Sequence, residues 1–227
     1  MYSRDLDAGA APLTLGVSGK LWGGILVMYD RETDSLWTQI GGRALRGQHT
    51  GRVFEQRHSE FVTWETWRAA HPDTLVLEKD EEDRARERSH YEEYFADPEQ
   101  LYFPELAEGL GGAGPKSVVF AVALEGGALA VTESLLVDRG VVNAVVGSIP
   151  VAFLRDPQTG FVKAVDRRLG ERVLVPGPLP GRDPRLLFLD LVSGETRSAT
   201  ELESLRLDRS FWYAWKHTHP ASEILAN

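Results

Sequence analysis

A nonapeptide pattern that occurs twice constrains the fold of this chain more than any other feature. The copies read WETWRAAHP at residues 64–72 and WYAWKHTHP at residues 212–220, so both follow Trp-x2-Trp-x3-His-Pro. Tryptophans three residues apart lie on one face of a helix, and proline disfavours helix at the preceding histidine. Each copy therefore predicts a short helix that ends at His-Pro and lays two indoles against a sheet, with Thr63 and Ser210 as N-caps.

The sequences around the two copies also correspond. LVMYDRETDSLWTQ at residues 26–39 resembles LLFLDLVSGETRSA at 186–199, and SRDLDAGAAPLTL at 3–15 resembles DRRLGERVLVP at 166–176. In the first of these pairs an apolar strand pattern runs to an aspartate and a polar turn. Three correspondences in the same order predict an internal duplication, anchored by Trp64, Trp67, Trp212, Trp215 and His219.

The remaining patterns predict a β-rich α+β fold. After Lys116 the segments SVVFAVAL, GALAVTE, GVVNAVV, IPVAFLR and GFVKAVD follow one another, and their β-branched residues and glycine-bearing turns favour antiparallel hairpins. TLVLE at residues 74–78 predicts one more strand. We expect a first repeat unit at 1–78, an acidic connector at 79–115 and a second unit with a leading strand block at 116–227; one compact domain could also hold all three.

The two units are unequal, because a block of strands precedes the second nonapeptide and nothing comparable precedes the first. A sheet without its leading strands exposes an unpaired edge, which must be covered or paired. We therefore expect either a protein truncated at its N-terminal side or a first unit that is completed by self-association or by a partner chain.

Charge and composition exclude several classes of protein. Residues 78–108 hold 12 acidic and 4 basic side chains, whereas the rest of the chain holds 22 and 21, so most of the net charge of −9 lies in the connector. This acidic run could be a solvated face or a docking surface for a basic partner. Within it, residues 81–95 lack Gly and Pro and could form a helix, a surface segment or an ordered loop. Without a basic stripe the chain is not expected to bind nucleic acid.

The absence of cysteine excludes disulfides, thiolate metal sites and cysteine nucleophiles. Residues 118–124 form the longest apolar run, far short of the roughly 20 residues that cross a bilayer, and the N-terminal residues lack the pattern of a secretory signal. As written, the sequence predicts a soluble cytoplasmic protein; a truncated N-terminus would leave an extracytoplasmic location open.

Four segments resemble an uncharacterised family, domain of unknown function 3179. They are TLGVSGKLWGGILVMYDRETDSLWTQIGGRALRG at residues 14–47, WETWRAAHPDTLVL at 64–77, GVVNAVVGSIPVAF at 140–153 and FWYAWKHTHP at 211–220. Members of that family usually carry a preceding unit with a Cys-Pro-x-Cys stretch, which this chain lacks, so no redox or metal role of those cysteines can be transferred. The resemblance implies a fold and no established activity.

One cluster and one histidine are candidates for a ligand-binding site. Tyr29, Asp30, Arg31 and Glu32 lie at a predicted strand end with Trp37 beyond them, a combination that could bind a polar ligand or perform acid–base chemistry. The same residues also fit a hairpin turn in which Asp30 and Thr33 bond backbone amides. His71 is the histidine of the first nonapeptide and joins the candidate list.

The spacing of the histidines is weak evidence for a metal site. His71 and His219 are read more simply as helix caps that face C-terminal carbonyls. His217 and His219 form only a lone His-x-His, for which His49, His58 or His90 would have to supply a third ligand. Ser18 in GVSGK lacks the spacing of a nucleophile elbow. No metal or cofactor is therefore expected.

These patterns predict a non-catalytic ligand-binding or protein-interaction domain with its site near the turn at residues 30–37. The alternative is a hydrolase-like or metal-assisted enzyme that uses Asp30, Glu32 and His71. The two differ in geometry, because an enzyme must bring at least two of these side chains together in a pocket.

Overall fold

The N-terminal sheet consists of four antiparallel strands in the order β1-β2-β3-β4. They are β1 (Leu15–Trp22), β2 (Ile25–Asp30), β3 (Leu36–Thr38) and β4 (Ala44–Arg46). The computed structural model describes residues 1–7, 9–57, 62–85, 91–157, 159–176, 187–190, 193 and 195–227. The side chains of Leu13, Trp37, Ala44 and Phe54 form the core of this sheet, and the indole of Trp37 stacks on Phe54 with ring centroids 3.9 Å apart.

Short helices follow the first sheet. Their bounds are α1 (Trp64–Ala70), α2 (Glu81–Ala85) and α3 (Glu92–Ala96), with a 3-10 turn at Pro104–Ala107. Of the alternatives left open for residues 81–95, the structure has helix at α2 and α3, and residues 86–90 lie outside the described residues. The predicted strand at 74–78 is wrong, because these residues have no regular structure and pair with no strand in the described part of the chain.

All five strands predicted after Lys116 are confirmed. They are β5 (Val118–Leu124), β6 (Gly127–Thr132), β7 (Val141–Val146), β8 (Ile149–Arg155) and β9 (Val162–Asp166). An unpredicted helix, α4 (Glu133–Arg139), joins β6 to β7. It begins where the Thr132 hydroxyl accepts the Leu135 N–H and ends at Gly140, whose φ of 68° suits glycine.

A small sheet in the second half repeats the topology of the first. Strands β10 (Arg168–Leu169) and β11 (Arg172–Val173) form a ribbon, and β12 (Val175–Pro176), β13 (Leu187–Leu189) and β14 (Thr196–Ser198) form a three-stranded sheet in that order. Tyr29 pairs with Leu36 in the hairpin β2–β3, and Leu189 pairs with Thr196 in β13–β14. The matching register supports the duplication, whose common ancestry stays a prediction.

The C-terminal elements enclose a hairpin. β15 (Ser204–Leu205) joins the sheet β15-β9-β8-β7, and β16 (Asp208–Phe211), α5 (Trp212–Thr218) and β17 (Glu223–Leu225) complete the sheet β16-β5-β6-β17. β16 is antiparallel to β5, whereas β17 is parallel to β6. The unit β16–α5–β17 is thus a strand–helix–strand frame with the hairpin β5–β6 held between its strands, and its one parallel pair departs from a purely antiparallel prediction.

The two tryptophan helices differ in their burial. Trp212 and Trp215 are 1% and 0% exposed, and they pack with Val119, Ala121 and Ala130 of the hairpin β5–β6. Trp64 and Trp67 are 50% and 41% exposed, and α1 has no buried residue. The prediction that each helix lays its indoles against a sheet is therefore right for α5 and wrong for α1.

The helix starts also differ. Thr63 is the N-cap of α1, as predicted, because its hydroxyl accepts the Thr66 N–H at 3.2 Å. Ser210 is not the N-cap of α5. Phe211 holds that position without a side-chain bond, and the N–H groups of residues 212 and 213 donate to the carbonyls of Ser117 and Pro115 at 2.9 and 3.0 Å.

The turn between β1 and β2 packs against α5. Gly23 and Gly24 have φ angles of 59° and 76°, and a Cβ on Gly23 would lie 2.0 Å from the His217 ring. Ile25, which follows them, shares a buried cluster with Tyr213 and Ala214 of α5. Residues of the predicted first and second units therefore share an apolar cluster.

The burial difference gives a matched test of stability. Trp215→Ala should lower the free energy of unfolding by about 3–5 kcal/mol, because a large buried ring leaves a cavity. Trp67→Ala, at the equivalent position of the first nonapeptide, should lower it by less than about 1 kcal/mol. Urea unfolding of both variants measures the two values; equal losses would contradict the difference in packing.

Candidate functional site

Asp30 and Trp37 hold each other in the core of the first hairpin. One carboxylate oxygen of Asp30 accepts the Thr33 N–H at 2.6 Å and the Thr33 hydroxyl at 2.7 Å, and the other accepts the indole N–H of Trp37 at 2.8 Å. Both residues are 0% exposed. A buried carboxylate needs such donors, so these contacts account for the Asp and the Trp without a ligand.

The same aspartate turn recurs in the chain. The Asp30 N–H donates to the Ser35 carbonyl at 3.1 Å, the Asp156 N–H to the Phe161 carbonyl and the Asp190 N–H to the Glu195 carbonyl. In all three, a carboxylate oxygen accepts the N–H of a Ser or Thr three residues later, at 2.6, 3.5 and 3.2 Å. Each turn closes a hairpin, which is the structural role that Asp-x-x-Ser/Thr favours.

The other candidates of this turn lie at its surface. The two Glu32 carboxylate oxygens accept the Thr14 N–H at 3.0 and 2.9 Å, and this bond lowers the pKa of Glu32. The guanidinium of Arg31 lies 5.5 Å from the centroid of the Tyr29 ring. Arg31 and Glu32 are exposed, and Tyr29 is half-buried.

His71 is the C-cap of α1 and packs against that helix. Its ring centroid is 4.1 Å from that of Trp67. In the described part of the chain, no hydrogen bond or ion pair joins Asp30, Glu32 and His71. The same residues contain no group of three or more His, Cys, Asp or Glu that could hold a metal ion; His58 and His90 lie outside them.

The two nonapeptides adopt one local geometry that extends beyond the helix. The indole N–H of Trp67 donates to the Thr74 hydroxyl at 2.9 Å, and that of Trp215 donates to the Ser222 hydroxyl at 2.8 Å. His71 has φ −132° and ψ 69°, and His219 has −129° and 72°. The His219 ring stacks on Trp215 and the His71 ring lies tilted on Trp67. The His219 ring also donates a hydrogen bond to the Trp215 carbonyl, as predicted for a histidine at the end of a helix.

Residues 64–77, named here the tryptophan segment, carry an exposed apolar surface. Beside the two indoles, Leu75, Val76 and Leu77 are 95%, 67% and 91% exposed. Single exposed apolar residues need no explanation, but a contiguous group marks an interaction surface. The sequence already indicated this exposure, because the strand block that precedes the second nonapeptide has no counterpart before the first.

A separate cavity lies between the first sheet and α5. Its volume is about 440 Å³, and Tyr2, Met28, Asp208, Phe211 and Tyr213 are among its lining residues. Burial raises the pKa of Asp208, whose carboxylate accepts the Gln56 side-chain N–H at 3.2 Å. None of the site residues predicted from the sequence lines this cavity.

Removing the buried acceptor tests the structural role of Asp30. Asp30→Asn should lower the free energy of unfolding by about 1–3 kcal/mol, because an amide nitrogen replaces one of the oxygens that accept from Thr33 and Trp37. Asp34→Asn, at an exposed position of the same turn, should change it by less than about 0.5 kcal/mol. Equal effects in urea unfolding would contradict a special role for Asp30.

The stabilisation by Asp30 should also depend on pH. Burial raises the pKa of this carboxyl, but the hydrogen bonds from Thr33 and Trp37 outweigh it and the net pKa is lowered. The carboxylate therefore stabilises the fold fully above the unfolded pKa of about 3.9, and this contribution is lost as the pH falls below it. The stability gap between the wild type and Asp30→Asn should narrow from pH 6 to pH 3; a constant gap would contradict the lowered pKa.

No helix among the described residues is long and apolar enough to cross a membrane.

Comparison with known proteins places the chain in one family. No curated protein and no solved structure matches the chain. The model of the family described as "Protein of unknown function (DUF3179)" matches residues 1–222, almost the whole chain, which confirms the resemblance noted from its motifs. The chain belongs to this family.

Proposed function

We propose that this protein is a non-catalytic protein-interaction domain that contacts its partner through the tryptophan segment. The observation that carries the proposal is the exposure of Trp64, Trp67 and residues 75–77 in a segment whose duplicate is buried at both indoles. Tryptophan contributes large binding energies at protein interfaces, because its ring buries much apolar area.

The chemistry around these residues favours a polypeptide over a small molecule. The apolar side chains are bordered by the exposed charges of Glu65, Arg68 and Asp73, an arrangement of apolar centre and polar rim that is typical of protein interfaces. The depression within the segment is shallow, about 350 Å³, and is lined by residues 70–74. A small ligand would lose little of its surface to water there.

The segment is also ordered for binding before a partner arrives. Thr63 caps α1, the Trp67 indole is fixed by Thr74, and the His71 ring contacts the same indole. Groups already held in their bound geometry lose less conformational entropy on association. These contacts support a surface kept ready for recognition.

The enzyme alternative receives no such support. The carboxylate of Asp30 is taken up by Thr33 and Trp37, that of Glu32 by Thr14, and His71 packs on α1. An acid–base site built from these residues needs at least two of them together in one pocket.

Photocrosslinking tests the proposal in the cell that makes the protein. A benzoylphenylalanine at position 75 should give a discrete covalent adduct with one protein, identified by mass spectrometry, whereas the same residue at position 145, which is 62% exposed in the wild type, should not. Adding Trp67→Ala to the reporter should lower the yield by at least about tenfold, the effect of losing 1.4 kcal/mol of binding.

The Trp67→Ala variant serves as its own folding control through its urea transition. No adduct above that at position 145, or an adduct that is insensitive to Trp67→Ala, would overturn the proposed interaction surface.

A further inference from the structure

We propose that the partner binds as an antiparallel β-hairpin that lies under α1 and pairs with residues 75–77, in the way that the hairpin β5–β6 lies under α5 and pairs with β17. The inference rests on the proposed function and adds the structure of the bound segment.

The second copy supplies a complete template. β17 follows α5 and pairs in parallel with β6, matching Glu223 with Leu129, Ile224 with Ala130 and Leu225 with Val131. Counted from the first tryptophan of each nonapeptide, residues 75–77 are the equivalents of Glu223–Leu225. In the first copy these residues follow the same helix and the same His-Pro turn, and they pair with no described strand.

The turn that precedes residues 75–77 has the same hydrogen bond as the turn that precedes β17. The Thr74 N–H donates to the His71 carbonyl at 3.1 Å, and the Ser222 N–H donates to the His219 carbonyl at 2.9 Å. Together with the matching indole bonds, this turn sends the chain away from either helix in one geometry. Residues 75–77 therefore follow the same turn geometry that precedes β17.

The template also defines the chemistry of the face that contacts the indoles. The residues packed on Trp212 and Trp215 are small or β-branched: Val119 and Ala121 from β5, and Ala130 from β6. Small side chains allow the indoles to approach the strands closely, and alternation along a strand places such residues on one face. The predicted partner hairpin therefore carries Ala or Val at alternate positions of both strands.

The occupant is a separate polypeptide and not the folded body of a second copy. In this chain Val119, Ala121 and Ala130 are 0% exposed, because α5 already covers them. A second copy could offer this face only by releasing its own α5, with the loss of two buried indoles. A strand added through backbone hydrogen bonds and side-chain pockets is an established mode of peptide recognition.

The chain provides its own probe for this inference. The probe is a synthetic peptide with the sequence of residues 117–132, SVVFAVALEGGALAVT, cyclised to hold the hairpin and extended with lysines for solubility. Its binding to the full-length protein is followed by fluorescence anisotropy, and the backbone contact by amide hydrogen exchange. A cyclic peptide of scrambled sequence with the same added lysines is the matched control.

We expect the cyclic probe to bind, to slow amide exchange at residues 75–77, and to bind at least about tenfold more weakly to Trp67→Ala. The scrambled peptide should neither bind nor slow amide exchange at residues 75–77. Binding without protection at 75–77, or binding that is unchanged in Trp67→Ala, would overturn the inference, since the probe would then lie elsewhere. Dimerisation of the wild type that Trp67→Ala abolishes would also overturn it, because a second copy would be the occupant.

The two proposals fail separately. A crosslinked partner at position 75 combined with no binding of the cyclic hairpin would remove the hairpin inference and leave the interaction domain in place. Loss of both the adduct and the hairpin binding would remove the interaction surface itself.

Discussion

The packing of two indoles on a hairpin organises the C-terminal half of this protein. Trp212 and Trp215 fill the space between α5 and the strands β5 and β6, and neither retains more than 1% of its accessible surface. At about 25 cal/mol per Å² of apolar surface, two large rings provide several kcal/mol of stabilisation. The frame β16–α5–β17 depends on this contact, because only the hairpin between its strands connects them into one sheet.

The comparison of the two nonapeptides separates local from tertiary effects. Helix length, histidine backbone geometry and the indole hydrogen bond agree in the two copies, and in both the imidazole contacts the second indole. These features arise within about ten residues, and the sequence therefore determines them wherever it occurs. Burial and strand pairing differ, since they require a second surface that only the C-terminal copy has. Thr63 caps α1 with its own side chain, whereas α5 uses the carbonyls of Pro115 and Ser117.

Sequence patterns predicted the strands, turns and helix ends that local interactions determine. The five strands after Lys116 were predictable because β-branched runs and glycine turns favour hairpins, and the helix ends were predictable from His-Pro. Helix α4 was missed although Thr132 and Gly140 mark its ends. The strand at 74–78 was predicted wrongly, because an apolar pattern indicates the capacity to pair and not the presence of a partner. The sequence left the role of Asp30 open, since its bond to the Trp37 indole depends on the hairpin register.

Helix α5 touches two sheets with opposite faces. Its indoles lie on β5 and β6, and its Tyr213 and Ala214 cluster with Ile25 from the first sheet, next to the glycine turn that fits against His217. Unfolding of this one helix would expose buried apolar surface on both sheets at the same time. The two halves should consequently lose their structure in a single cooperative transition, however similar their origins, and neither should persist as an independent intermediate.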